Sequence, residues 1–119
     1  FYRHRIHVHI VDGIQANSPQ LSFHCQSDDD DLGYHYPTLN QEFQFDFKLR
    51  VFAVTLFYCH FWWGTKQAMF DVFRVDGACS VYGGLDTKQC YWLIKEDGFY
   101  FANQEHPSPS SLFKLHDWA

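Results

Sequence analysis

The chain has 119 residues and a formal charge of -5 with its eight histidines neutral, the size of one domain (1–119) with room for one core. Hydrophobic residues make up 46% and aromatics 20%, which excludes a disordered chain. An excess of fourteen acidic over nine basic residues is the wrong balance for a nucleic-acid backbone, although protonating the histidines would reverse the sign of the net charge. No run is long enough to cross a bilayer, because the richest stretch, 51–64, is broken by His60 and Gly64.

In chain order, Ile6, Val8 and Ile10 alternate with His7 and His9, the pattern of a half-buried strand. Leu21, Phe23 and Cys25 then alternate with Ser22 and His24, a short extended piece covers Tyr34 to Tyr36, and Phe43, Phe45, Phe47 and Leu49 alternate with Gln44, Asp46 and Lys48. Residues 55–63 are apolar on both parities, as a central strand covered on both faces would be. Phe70 to Arg74, Cys90 to Lys95 and Phe99 to Phe101 bring the total to seven or eight strands. Turn chemistry separates them, including Asp12-Gly13, Asp28 to Asp31, Gly83-Gly84 and Asp97-Gly98, the last a tight hairpin turn. The only helical turn expected lies near Ser110 to Leu115. The class is therefore all-β, an antiparallel β-sandwich with its core in about 6–101. Residues 102–119 read as a loose C-terminal tail, from which Leu112, Phe113, Leu115 and Trp118 can dock back.

The four cysteines, Cys25, Cys59, Cys79 and Cys90, contain no C-x-x-C pair, against a zinc ribbon or thioredoxin-like site. An even count in a small aromatic-rich chain implies two disulfides and an oxidising, secreted location, and a start at Phe1 without Met fits a mature secreted chain. Three pairings are possible. Cys25, Cys59 and Cys90 fall on core-facing parities and Cys79 in a Gly-rich connection, and the reading leans to Cys25–Cys90 and Cys59–Cys79.

The succession VHIVDGI (8–14), LSFHCQSDDDDLGYH (21–35), QEFQFDF (41–47), TLFYCHFWW (55–63), FDVF (70–73) and CYWLIKEDGFYF (90–101) strongly resembles the plant self-incompatibility S-protein homologue family. The resemblance implies a small secreted plant β-sandwich with two disulfides, whose best-known members are pistil ligands that recognise a pollen-surface receptor. Two departures stand out. The glycosylation sequon that such proteins often carry after the first strand is absent at Asp12-Gly13-Ile14, and the segment between Cys79 and Cys90 is longer than usual.

Asp28, Asp29, Asp30 and Asp31 are hard-oxygen ligands of the kind Ca²⁺ takes, but without EF-hand spacing they are better read as acceptors for backbone N–H groups ordering the turn before Leu32-Gly33. His7 and His9 have the His-x-His spacing to chelate a metal, with His24 of a neighbouring strand as the third candidate ligand; the favoured reading is solvent-facing strand histidines. His60 reads as a hydrogen-bonded core histidine rather than a catalytic base. No nucleophile elbow, phosphate loop, H-E-x-x-H or Cys nucleophile is present, so no enzyme, metal or cofactor is expected. Trp62, Trp63, Tyr91 and Trp118 are possible members of a sugar-stacking platform, with core packing the commoner use; Tyr91 and Leu93 would mark a partner surface if exposed together.

The function expected is that of a monomeric secreted ligand binding a cell-surface receptor through inter-strand loops. The expected contacts are Asp28 to Asp31, Thr65 and Lys66 in the 64–68 turn, and Tyr82, Leu85, Asp86 and Lys88 in 80–89. The alternative is a carbohydrate- or cell-wall-binding module using exposed aromatics, and a third reading is a metal-dependent activity through the His and Asp clusters.

Overall fold

Two-residue alternation of apolar and polar side chains builds nine strands in the computed structural model, which describes residues 5–15, 19–49, 55–75, 77–79 and 89–119. They are β1 (Arg5–Asp12), β2 (Leu21–Gln26), β3 (Asp31–His35), β4 (Glu42–Lys48), β5 (Leu56–Trp63), β6 (Lys66–Arg74), β7 (Gln89–Lys95), β8 (Gly98–Ala102) and β9 (Phe113–His116). One sheet has the order β4-β1-β7-β8-β9 and the other β3-β2-β5-β6. All pairings are antiparallel except β1 with β7, which run parallel from His7 opposite Gln89 to Asp12 opposite Ile94. β1 and β7 each have a strand on both sides, so the parallel ladder sits inside its sheet.

The core is made where the inner faces meet. Leu21, Phe23 and Cys25 of β2, Phe57, Cys59 and Phe61 of β5, and Cys90, Trp92 and Ile94 of β7 are buried on the parities that the sequence assigns to them. Rings cross between the sheets at Phe45–Phe57, Phe61–Phe99 and Phe70–Trp92, with centroids 5.0, 5.0 and 5.1 Å apart, the spacing at which an aromatic pair adds about 1 kcal/mol beyond its buried area. The Trp92 indole N–H donates to the Val72 carbonyl at 3.0 Å, so this large side chain leaves no polar atom stranded in the core.

Three expectations need correcting. The disulfides are Cys25–Cys59 and Cys79–Cys90, not Cys25–Cys90 and Cys59–Cys79. Cys25 and Cys59 face each other on neighbouring strands with Cα atoms 4.1 Å apart, whereas Cys90 belongs to the other sheet. Facing sheets stand about 10 Å apart, beyond the roughly 7 Å that a disulfide spans. Cys79 instead meets Cys90 near the start of β7, closing the segment between them.

The C-terminal stretch is not a loose tail, and the turn near Ser110 is a short 3-10 turn, Pro109–Ser111, followed by a strand. β9 pairs with β8, the His116 ring stacks on Phe70 at 4.0 Å, and Trp118 packs on Phe99 at 4.6 Å while its indole N–H donates to the Lys95 carbonyl. The Ala119 N–H then donates to the Gln67 carbonyl of β6, so the end of the chain straps one sheet to the other.

β5, finally, is covered on one face only. Phe57, Cys59 and Phe61 are buried, but Leu56, Tyr58, His60 and Trp62 are partly exposed on the outer face. His60 is hydrogen-bonded as expected but lies outside the core.

Candidate functional site

That outer face carries two of the large exposed apolar side chains that lie on strands, Tyr34 and Met69. Strand register places Tyr34 of β3 opposite His24 of β2, His24 opposite His60 of β5, and His60 opposite Met69 of β6. Side chains directly opposite in a sheet share a face, so these four form one row across all four strands, about 14 Å long at the usual strand spacing. Tyr34 is 58% and Met69 60% exposed. Trp62 stands two residues along β5 from His60, with its ring 3.9 Å from the His60 ring and 6.2 Å from Tyr34. The rings of Tyr34 and His24 stack at 4.2 Å and 12°.

The imidazoles are held in place. His24 Nε2 donates to Asp31 Oδ1 at 2.7 Å, and that oxygen also accepts the Gly33 N–H at 2.9 Å. The Gly33 N–H foremost, and His24 with it, hold the Asp31 carboxyl below the usual carboxylate range. His60 Nε2 donates to Gln67 Oε1 at 2.9 Å. Stacked, tethered rings have little rotamer freedom to lose when a partner docks. The face is rich in Tyr, Trp and Met, the residue types enriched in the centres of protein interfaces. Its rim carries the Asp31 carboxylate, hydrogen-bonded to His24, and the ion pair of Asp71 with Arg74.

Of the predicted contact residues, those that are described border this face. Asp28, Asp29 and Asp30 are exposed in the β2–β3 turn, where the Ser27 N–H donates to the Asp30 carbonyl and the Asp30 N–H to Ser27 Oγ. Backbone ordering by Asp31 is as the sequence led us to expect. Thr65 and Lys66 lie at the β5–β6 hairpin, beyond the opposite end of β2, since Leu21 pairs with Trp63 and Gln26 with Tyr58. The two turns therefore border the same face from opposite ends, about 17 Å apart along β2. Tyr82, Leu85, Asp86 and Lys88 lie outside the described residues.

Other sequence candidates are dispersed. His9 is not solvent-facing: it is 3% exposed, with Nδ1 donating to Glu42 and Nε2 beside Gln89 Oε1, both at 2.6 Å. β4 and β7 flank β1 and supply these partners. His7 is half-exposed beside Asp46, and His24 belongs to the other sheet. Among the described residues no three His, Cys, Asp or Glu side chains gather as a metal site. Trp63 and Trp118 pack on each other at 5.9 Å, with the Trp63 indole N–H on the Pro19 carbonyl. Tyr91 and Leu93 are both half-buried and form no exposed pair. Tyr34 and Met69 were missed as site residues. Their signal lies in the even-numbered residues of 55–63, but it becomes a surface only once β3 and β6 are known to flank that strand pair.

Comparison with known proteins locates this architecture. Residues 7–115 match the family model described as plant self-incompatibility protein S1. S-protein homolog 5 of Arabidopsis thaliana is 37% identical over 83 residues, covering 67% of this chain and 59% of the relative. Self-incompatibility protein S1 of Papaver rhoeas is 33% identical over 98 residues, covering 77% of this chain and 65% of the relative. The matched regions thus span somewhat under two thirds of these relatives' own length. A solved structure of an SPH (self-incompatibility protein homologue) protein, from a family described as small, highly stable and secreted by plants, superposes with a TM-score of 0.64 at 19% identity. It covers 97% of this chain and 95% of that one, a likeness of fold.

Proposed function

We propose, for a chain that belongs to the plant self-incompatibility protein S1 family, the role of a secreted, monomeric ligand in cell–cell recognition that binds a cell-surface receptor protein and carries out no chemistry of its own. The family is secreted. The observation that carries the reading is the preordered row Tyr34, His24, His60 and Met69, with Trp62 beside it and the Asp28–Asp31 and Thr65–Lys66 turns at its two ends. We place the receptor contact there, with the turns supplying charge at the rim and the aromatics the buried centre. The segment 80–89, closed by Cys79–Cys90, is a further contact of the same ligand.

A second reading, a carbohydrate- or wall-binding module, draws on the same exposed rings of Tyr34 and Trp62. The test uses the oxidised protein, crosslinked on plant cell-surface extracts, beside Tyr34→Ser/Met69→Ser and a variant with 80–89 replaced by a Gly/Ser linker. Both substituted side chains are exposed, so the double variant should fold as the parent does. A membrane protein captured by the parent and lost with the double variant, then bound directly as a purified ectodomain with the same loss, supports the ligand reading. Loss with the 80–89 variant alone moves the contact to that loop, and saturable capture of a polysaccharide in place of a protein overturns the ligand reading.

A further inference from the structure

Four strands border the two sheets, β4 and β9 in one and β3 and β6 in the other. A bare sheet edge is a row of main-chain donors and acceptors open to another strand. Three of these edges are short, irregular or already capped. β9 has four residues, and β3 has five with a register that slips against β2. β6 is irregular against β5, and its Gln67 and Val72 carbonyls are taken by the Ala119 N–H and the Trp92 indole. β4 differs from all three. Its seven residues, EFQFDFK, run against β1 in unbroken register from Glu42 to Lys48, and no strand among the described residues pairs with its outer side.

The ladder decides which groups face outwards. The Asp12 N–H donates to the Gln41 carbonyl of the segment leading into β4, while the Gly13 N–H turns the other way, to the Ile94 carbonyl of β7. Alternation along an antiparallel pair therefore sends the main-chain groups of Phe43, Phe45 and Phe47 to β1 and those of Glu42, Gln44, Asp46 and Lys48 to the open side. The three Phe rings pack on the core yet stay half-buried, as side chains beside an uncovered edge do.

We infer that β4 pairs antiparallel with β4 of a second copy of this chain, about a two-fold axis at Phe45, joining two five-stranded sheets into one. Glu42 then faces Lys48, Gln44 faces Asp46 and Phe43 faces Phe47, each pair made twice, and Phe45 meets its own copy. The outward groups fall opposite one another, so about eight main-chain hydrogen bonds form. Charge selects this register. An axis at Gln44 would set Glu42 against Asp46, and an axis at Asp46 would set that carboxylate against its own copy, like-charge contacts that oppose pairing. An axis between two residues would set outward main-chain groups against inward ones. The charges are available: Glu42 holds His9 and Asp46 holds Arg5 through one oxygen each, and Lys48 is exposed and in no ion pair among the described residues. One strand pair buries less than the roughly 1,200 Å² of a stable complex, so the dimer is weak, with a dissociation constant on the order of 100 µM, and the dilute ligand proposed above is its monomer. β4 lies in the sheet that does not carry the Tyr34 to Met69 row, so the inference is independent of the receptor reading.

Sedimentation velocity of the oxidised protein from about 5 to about 500 µM, with amide exchange of the isotope-labelled chain at both ends of that range, is the test. The mean mass should rise from the monomer's 14.1 kDa towards twice that value. Exchange should slow with concentration at Glu42, Gln44, Asp46 and Lys48 but not at Phe43, Phe45 and Phe47, whose N–H groups β1 already holds. Lys48→Glu sets acid against acid at both ends of the pair and should weaken association about tenfold or more. Gln44→Lys gives Asp46 a cation in this register, whereas an axis at Gln44 would set Lys against Lys, so association about threefold tighter is expected. Both positions are exposed, and both variants should fold as the parent does. A monomer at every concentration, unchanged association of Lys48→Glu, unchanged or weaker association of Gln44→Lys, or protection gained at β3 or β6 instead overturns the inference. Protection of the same four amides in plant cell-surface extract but not in buffer gives the edge to a different chain and likewise overturns it.

Discussion

Removing the Cys25–Cys59 bridge, by Cys25→Ala with Cys59→Val to keep the volume of two fully buried sites, is the sharpest test of the pairing. The bridge spans 34 residues and Cys79–Cys90 spans 11. By the chain-entropy relation their removal costs about 3.8 and 2.8 kcal/mol respectively. With an unfolding entropy of about 0.25 kcal/mol/K for a chain this long, the first loss lowers the midpoint by about 15 °C, against a total stability on the order of 10 kcal/mol. Denaturant melts of both double variants, with thiol counting and peptide mapping of the remaining pair, give the numbers. The expected result is an intact Cys79–Cys90 bridge in the first variant, no free thiols in either, and the larger loss for the longer loop. A loss under about 1 kcal/mol for Cys25→Ala/Cys59→Val, or free Cys79 and Cys90 in that variant, would refute the reasoning.

Three further outcomes follow from single positions. Burial lowers the pKa of His116, against Asp71 and Asp117, which raise it. The unfolded chain therefore takes up this proton first as pH drops, and stability falls as pH goes below about 6.5; His116→Phe, which keeps the stack on Phe70, should flatten that dependence in melts between pH 5 and 7. Gly98 has φ +148°, and a Cβ there would lie 2.5 Å from the His116 carbonyl oxygen, so Gly98→Ala should cost about 2 kcal/mol or more and loosen β9, read as faster amide exchange at residues 113–116. Trp92→Phe keeps a ring in the core but leaves the Val72 carbonyl without its donor, a loss of about 1–3 kcal/mol by denaturant melt.

The sequence by itself determined the class of fold, because alternation is a local property: which face of a strand is apolar is written in the strand. Leu21-Phe23-Cys25 and Cys90-Trp92-Ile94 are buried as their parity requires, a two-residue hairpin forms one position earlier than Asp97-Gly98 suggests, with Glu96 and Asp97 in the turn and Gly98 opening β8, and the motifs from 8 to 101 were enough to recognise the family. Which strands become neighbours is a matter of long-range packing, and only the tertiary structure decided it. Cys25 reaches Cys59 because β2 and β5 pair, β1 and β7 meet as parallel neighbours inside one sheet although they are far apart in the chain, and residues 113–116 become a strand because β8 offers a free edge. The binding face was hidden for the same reason. Tyr34, His24, His60 and Met69 are far apart in the chain, and nothing local marks them as a row; register across four strands does.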